Sequence, residues 1–545
     1  MTQNKCVGET IRALWYYKTN RSQKEWTTLY VYIILLIFPF YATNQYFRLL
    51  RDRTAFFTIA TMALIVVTVF LYLKLLIMLL WECLQEGGQI RSLFKVLWQD
   101  MKEKRPECVA QDRCFMCFLI IATLSMICSK YRMAAFWGDE GRYQGLFLWL
   151  LYGAAYFMLS RYVKPNIKML QVFLVGGVIS ALWGIANFLG MDPFHWLALV
   201  KEEQKGIFVS SYGNINTYTA AMSLFMAIAG VLYIMKPQED NKKNHAWLNN
   251  IGYLTAFYAL CIALITGRSD NAALAIGAFF IITPFFTWEN PVKIKYHSHL
   301  YVILLFALVT SAYLSIATTN PYIQTNDGIL LKLCNNGKIM LFLCLTGVLW
   351  LTISNILAKK QGTYTKKIWA FFLIGTAVIG GVTIVVFREH LILSNSAIGP
   401  FLHFSDSWGS HRGYIWRAAV EEFWKFSLKD TLIGTGPETF GLMMKELRYE
   451  EMKMITGQVF DSPHNEFLQY LFTTGVLGTI SYYGFLLTGI ANAFREYGSI
   501  KKAAGVAVAV YVVVSFVNIS VPITQPYIII LTAFLWSSAE KQKNY

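Results

Sequence analysis

Ala55-Phe-Phe-Thr-Ile-Ala-Thr-Met-Ala-Leu-Ile-Val-Val-Thr-Val-Phe-Leu-Tyr-Leu-Lys74-Leu-Leu-Ile-Met-Leu-Leu-Trp-Glu82 holds a single charge, Lys74, before its final carboxylate. A run this apolar on every face has no water-facing side. Hydrocarbon offers no water to backbone amides, so such a run must close its own hydrogen bonds as a helix. About 20 residues suffice to span the bilayer core. Working outward, comparable windows fall at 27–45, 114–130, 144–160, 167–190, 215–235, 250–267, 271–288, 299–318, 338–357, 367–387, 465–493, 503–520 and 525–540. The windows predict an all-α, polytopic transmembrane helical bundle of about fourteen spans. The short alternating segments of a strand barrel are not seen.

Composition agrees. The 545 residues are 56% hydrophobic and 15% charged, with mean hydropathy +0.43, which excludes a soluble enzyme. The net charge of +16 comes without a soluble basic module, so no nucleic-acid partner is expected; the excess suits a lipid surface and the orientation of the chain. Cys114 and Cys117, with Cys108 nearby, have zinc-like spacing but no second cluster, and read as small buried hydrophobes. Cys334 is the one cysteine assigned to an outer loop, so no outer disulfide framework is expected.

With the N-terminus inside, inner segments carry more than half of the 48 Lys and Arg, as the positive-inside bias requires. Arg48, Arg51 and Arg53 in the first outer loop run against it. The even span count returns the C-terminus, Lys541-Gln-Lys543, to the cytoplasmic side. Four regions follow: 1–113 with two spans and a basic inner loop, a transmembrane core at 114–387, a long extracytoplasmic loop subdomain at 388–464, and C-terminal helices at 465–545. Long loops usually carry function. Within this one, Arg412 to Phe426 has helical spacing, Gly434-Thr-Gly436-Pro437 is a turn, and Thr439 to Glu451 suits a second helix. Asp461-Ser462-Pro463 reads as a cap and first-turn proline of the next membrane helix.

His464 then stands at a helix mouth, where a neutral imidazole can take a proton; a first-turn His can also merely pack. Arg268 lies in the tight Thr266-Gly-Arg-Ser-Asp270 turn, with Asp270 a possible ion-pair partner. Arg412 suits phosphate, which a guanidinium grips by two parallel hydrogen bonds, although a loop Arg is often only solvated. Tyr131 to Gly145 holds Arg142 and an Asp139-Glu140 pair that could bind a divalent ion. Asn214-Ile-Asn216 enters the sixth span with small polar residues. Lys74 within a span is a functional suspect or a snorkelling charge. No metal site or cofactor is assigned.

The outer face has no ATP, so a transferase there needs an already activated donor. A lipid-linked sugar pyrophosphate supplies one, and its departure needs cations at the membrane surface and a base for the acceptor hydroxyl.

These residues resemble the O-antigen ligase and polysaccharide polymerase superfamily. His464-Asn465, nine residues, then Gly475-Val-Leu-Gly478 is similar to the motif closing its long loop. Arg412-Gly-Tyr-Ile-Trp416 with Leu432-Ile-Gly-Thr-Gly436, the Arg268 turn and Arg142-Tyr-Gln-Gly145 resemble its other signatures in order. Asn214-Ile-Asn216 lacks the proline commonly found between those two Asn, and about fourteen spans exceed the roughly twelve usual for the ligases. The resemblance implies a metal-independent glycosyltransferase of the cytoplasmic membrane using undecaprenyl-pyrophosphate-linked glycan. His464 would be the base and Arg268 and Arg412 the pyrophosphate grips, with Arg142, Asn214 and Asn216 also binding substrate. The implied acceptor is a glycan, lipid or protein hydroxyl. The rival expectation is a flippase or exporter of the same lipid-linked sugars, which would favour internal pseudo-symmetry and midplane polar sites.

Overall fold

The computed structural model describes residues 2–85, 108–139, 141–235, 246–288, 292–322, 328–359, 365–393 and 404–536. Glu140, the polar 236–245 loop, Lys541 and Lys543 lie outside them. Among the described residues the chain is all-α except for a small antiparallel hairpin, Phe208–Val209 with Gly213–Asn214.

Every apolar window overlaps a helix. Eight helices among the described residues are long and apolar enough to cross a membrane, so the chain is a multi-pass membrane protein. The number falls below fourteen partly because Leu146–Tyr162 and Ser499–Ser515 hold 17 residues each and Gln525–Leu535 holds 11. The first window also closes early. Thr2–Leu36 is one helix that runs through the polar N-terminal stretch and stops before a 3-10 turn containing Pro39, since proline lacks the amide that would continue the ladder.

Ile215–Ile234 is the centre of the bundle, with its whole apolar window buried. It packs on Ser499–Ser515, Ala246–Thr266, Asn271–Thr287 and Ile167–Phe188. Gly230 makes one close approach possible, because a Cβ there would collide with the Phe279 ring; small residues at helix crossings serve this purpose in membranes.

The first two helices, Thr2–Leu36 and Leu49–Gln85, pair through Gln23 Nε2 to Thr68 Oγ1 at 2.7 Å and Tyr30 Oη with Thr61 Oγ1 at 2.9 Å. Lys74 is exposed on the second of them. Arg53, fully buried, donates to the carbonyls of Phe38, Tyr41, Pro39 (2.6 Å) and Ser211 (3.0 Å). The segment joining the first two helices is thereby pinned to the turn that precedes the central helix.

The long loop forms helices Trp408–Phe423, Leu428–Ile433 and Phe440–Thr456. Tyr414, Ile415, Phe440, Met444 and Phe460 form a buried apolar cluster distinct from the main bundle core, with Phe472 of the Glu466–Arg495 helix. Arg448 ties the loop helices together through Glu421 and Glu422, both at 2.7 Å.

Candidate active site

The His464 segment is clamped from two sides. Asn465 is the N-cap of Glu466–Arg495, its Oδ1 accepting from Leu468 N at 3.1 Å. His464 therefore lies before the cap, at φ 49°, and Pro463 is not in the first turn as the sequence suggested. Asn, Asp and Ser cap about equally well, so capping chemistry alone does not choose the start; the helix begins where Asn465 Oδ1 meets Leu468 N. Trp416 Nε1 donates to the Pro463 carbonyl at 2.8 Å, tying the loop helix to the same turn. The His464 ring meets the Phe460 edge at 5.9 Å. Among the described residues, no group hydrogen-bonds either ring nitrogen.

Burial lowers the His464 pKa to about 4, helped by the positive charges of Arg412 and Arg142 and opposed by Asp461. The imidazole is neutral at neutral pH. Burial and two guanidinium groups cause this, rather than the helix terminus expected from sequence.

The Glu466–Arg495 helix is itself broken, at Gly475 (φ 67°, ψ −174°). The Gly434-Thr-Gly436 turn docks at the break, with Thr435 N donating to Phe472 O at 3.2 Å and Gly436 N to Thr473 O at 2.9 Å. A Cβ on Gly475 would come 2.6 Å from Gly434 N. The two glycine motifs are thus one backbone joint, fixing the loop to the membrane helix about three turns beyond His464.

His464 opens on a cavity of about 510 Å³ that Arg142, Asn214 and Asn216 also line. Arg142 is already engaged. Its Nε meets Glu438 Oε1 at 2.7 Å and its Nη1 meets Asp461 Oδ1 at 3.5 Å. Burial alone would lower its pKa, but these carboxylates raise it overall. Asn214 caps the central helix by accepting from Asn216 N at 2.8 Å. Asn216 Oδ1 accepts from Ser269 Oγ at 2.7 Å, linking the cavity wall to the Arg268 turn.

Arg268 itself faces elsewhere. It lines an adjoining cavity of about 210 Å³, donating to the Gly206 carbonyl and to Tyr322 O at 3.3 Å. Phe208 borders both cavities. The two chambers adjoin, yet Arg268 does not share the His464 chamber. Asp270 accepts from Ile329 N at 2.8 Å. Arg412 begins the helical part of Trp408–Phe423, after three left-handed residues at Gly409, Ser410 and His411. Among the described residues its half-buried guanidinium has no hydrogen bond or ion pair. Burial lowers its pKa, while the Asp270 charge opposes the shift. Its field reaches His464 on one side and the Arg268 turn on the other.

Arg48 and Arg51 also line the His464 cavity, and the sequence reading did not place them there. Their signal was the excess of arginine in a loop that the charge bias should have left poor in it. Asp139 adds to the carboxylate field at Arg142. Among the described residues no group of three or more His, Cys, Asp or Glu is placed to hold a metal ion.

Residues 333–483 match a family model described as O-antigen ligase. The matched stretch contains Arg412, the loop helices, His464 and the Gly475 break, whereas Arg48, Arg142, Asn214, Asn216 and Arg268 precede it. No curated protein and no solved structure matches the chain.

Proposed function

With an O-antigen ligase domain in a multi-pass membrane chain as the premise, we propose a glycosyltransferase that needs no metal. It moves an undecaprenyl-pyrophosphate-linked oligo- or polysaccharide onto an acceptor hydroxyl. The reading sets the His464 cavity and the long loop on the outer face of the cytoplasmic membrane, with both termini inside.

The unprotonated ring nitrogen of His464 takes the acceptor's hydroxyl proton as that oxygen attacks the anomeric carbon of the donor glycan. The new glycosidic bond forms as the bond from that carbon to the pyrophosphate oxygen breaks. The electron pair departs on undecaprenyl pyrophosphate. Fixed guanidinium charge near the leaving oxygens lowers the barrier without reorganisation; Arg412 supplies it from outside the cavity lining, through the same field that reaches His464. Arg142, already held by Glu438 and Asp461, positions Asp461 and keeps the imidazole neutral. Arg268 acts as a positioning residue for the 206–214 segment, a change from the direct grip expected from sequence.

The observation that carries the reading is a neutral imidazole on the wall of a 510 Å³ cavity, within reach of the Arg412 and Arg142 fields. In reconstituted protein, His464→Ala should lower transfer by about 10²-fold or more with donor binding nearly unchanged. Undiminished glycan transfer removes His464 from the chemistry. Translocation of lipid-linked sugar across the liposome without a new glycosidic bond would overturn the whole reading in favour of a flippase.

A further inference from the structure

The first outer loop belongs to a part of the chain that the ligase match does not cover, and it builds one wall of the His464 cavity. Its backbone is held firmly there. Arg53 is buried among four carbonyls, one of them Ser211 O. Asp52 accepts from Thr43 N at 2.6 Å and Thr43 Oγ1 at 2.7 Å. Tyr46 Oη donates to Ser210 O at 2.7 Å.

On this fixed base, Arg48 and Arg51 are exposed and both line the cavity. Their three-residue spacing at a helix start sets them on one face, where like charges repel. Among the described residues neither guanidinium has a hydrogen bond or an ion pair. The cavity's charged lining is Arg48, Arg51, Arg142 and Asp461. Arg142 is matched by Asp461 and Glu438, so the unmatched positive charge belongs to Arg48 and Arg51. The same loop adds Tyr46, Phe47 and Leu50 to the lining, and Ile519 and Ile523 continue the apolar side. Phe47 is 62% exposed, although it stands beside a membrane helix. The chamber is therefore cationic along one edge and apolar along another.

We propose that Arg48 and Arg51 bind the phosphate group of an amphiphilic substrate in the His464 cavity, making the N-terminal helix pair part of the binding site. This rests on the transferase reading for its substrate class, but not for its test. The phosphate has two possible sources, the diphosphate of the lipid-linked donor or a phosphate carried by the acceptor glycan.

The experiment measures binding to the full-length protein in detergent, with farnesyl diphosphate and glucose 1-phosphate as separate probes. Arg48→Gln/Arg51→Gln should weaken one probe by about tenfold or more, and the probe affected identifies the source. Arg48→Lys/Arg51→Lys should stay within about threefold of wild type, since point charge is retained even though the bidentate fork is lost. Raising salt should weaken wild-type binding more steeply than that of the Gln pair. Equal affinity of the Gln pair and wild type for both probes overturns the proposal. Because binding is read without turnover, that result would leave the His464 chemistry standing. Conversely, undiminished transfer by His464→Ala would leave the arginine pair's binding result intact.

Discussion

At the scale of single residues, His464 faces opposing demands. The proposed base role works best with a pKa near the working pH, yet burial and two arginines hold the His464 imidazole at about 4. An anionic donor beside Arg412 would cancel part of that positive field and raise the imidazole's proton affinity as the substrate arrives. On the proposed mechanism His464 is then a weaker base in the empty site and a stronger one in the loaded site. The sign follows from which form each charge favours: a neighbouring cation disfavours imidazolium, so neutralising it moves the pKa upward. The acid limb of kcat, which reports the loaded complex, should therefore lie at higher pH than that of kcat/KM. In the unloaded protein, Arg412→Gln should raise the His464 pKa towards its ordinary value, as read by NMR titration of labelled histidine. An unmoved titration would mean that Arg412 does not set the basicity of His464, and the substrate-gated behaviour would go with it.

At the scale of elements, the joint between the Gly434-Gly436 turn and the broken Glu466–Arg495 helix positions the whole loop. Gly475 has a backbone conformation essentially confined to glycine, with strain of about 1–3 kcal/mol expected for another residue, and its Cβ would strike the opposing turn. Gly475→Ala should lower the melting temperature in detergent and reduce transfer, whereas Gly252→Ala, inside the Ala246–Thr266 helix with nothing near its would-be Cβ, should do neither. Equal melting of the two variants would show that the joint tolerates a side chain. Sequence reading found both glycine motifs because they are local strings. It did not find that they touch, since no local periodicity reveals a helix break or the turn that fills it. The same limit explains the cap. Asp461-Ser462-Pro463 has good capping chemistry, but Asn465 competes for the same amides, and only the packing of Trp416 against Pro463 O shows which turn is made.

At the scale of the molecule, helix positions were legible because burial in hydrocarbon is decided window by window, while the membership of the cavity was not. Arg268 and Arg412 could be assigned to one side of the membrane by counting charges, but a shared side does not give a shared chamber. Phe208 borders both chambers, and Arg268 belongs to the smaller one. Arg48 joins His464 across the length of the chain because Arg53 and Tyr46 dock the first helix pair beside the turn at Ser210–Tyr212. That docking makes a prediction distinct from those above. Arg53→Met should leave four carbonyls, three of them buried, without their charged donor, at a cost of about 3 kcal/mol or more. Arg53→Lys should recover little, because one ammonium cannot reproduce a planar fork of five donors. Both variants should therefore show a lowered melting temperature together with weakened phosphate-probe binding, whereas the exposed Arg48→Gln/Arg51→Gln pair should weaken binding with its melting unchanged. If Arg53→Met melts and binds as wild type does, the N-terminal helices do not depend on this anchor, and the wall they contribute must be held by the Tyr46–Ser210 hydrogen bond and apolar contacts.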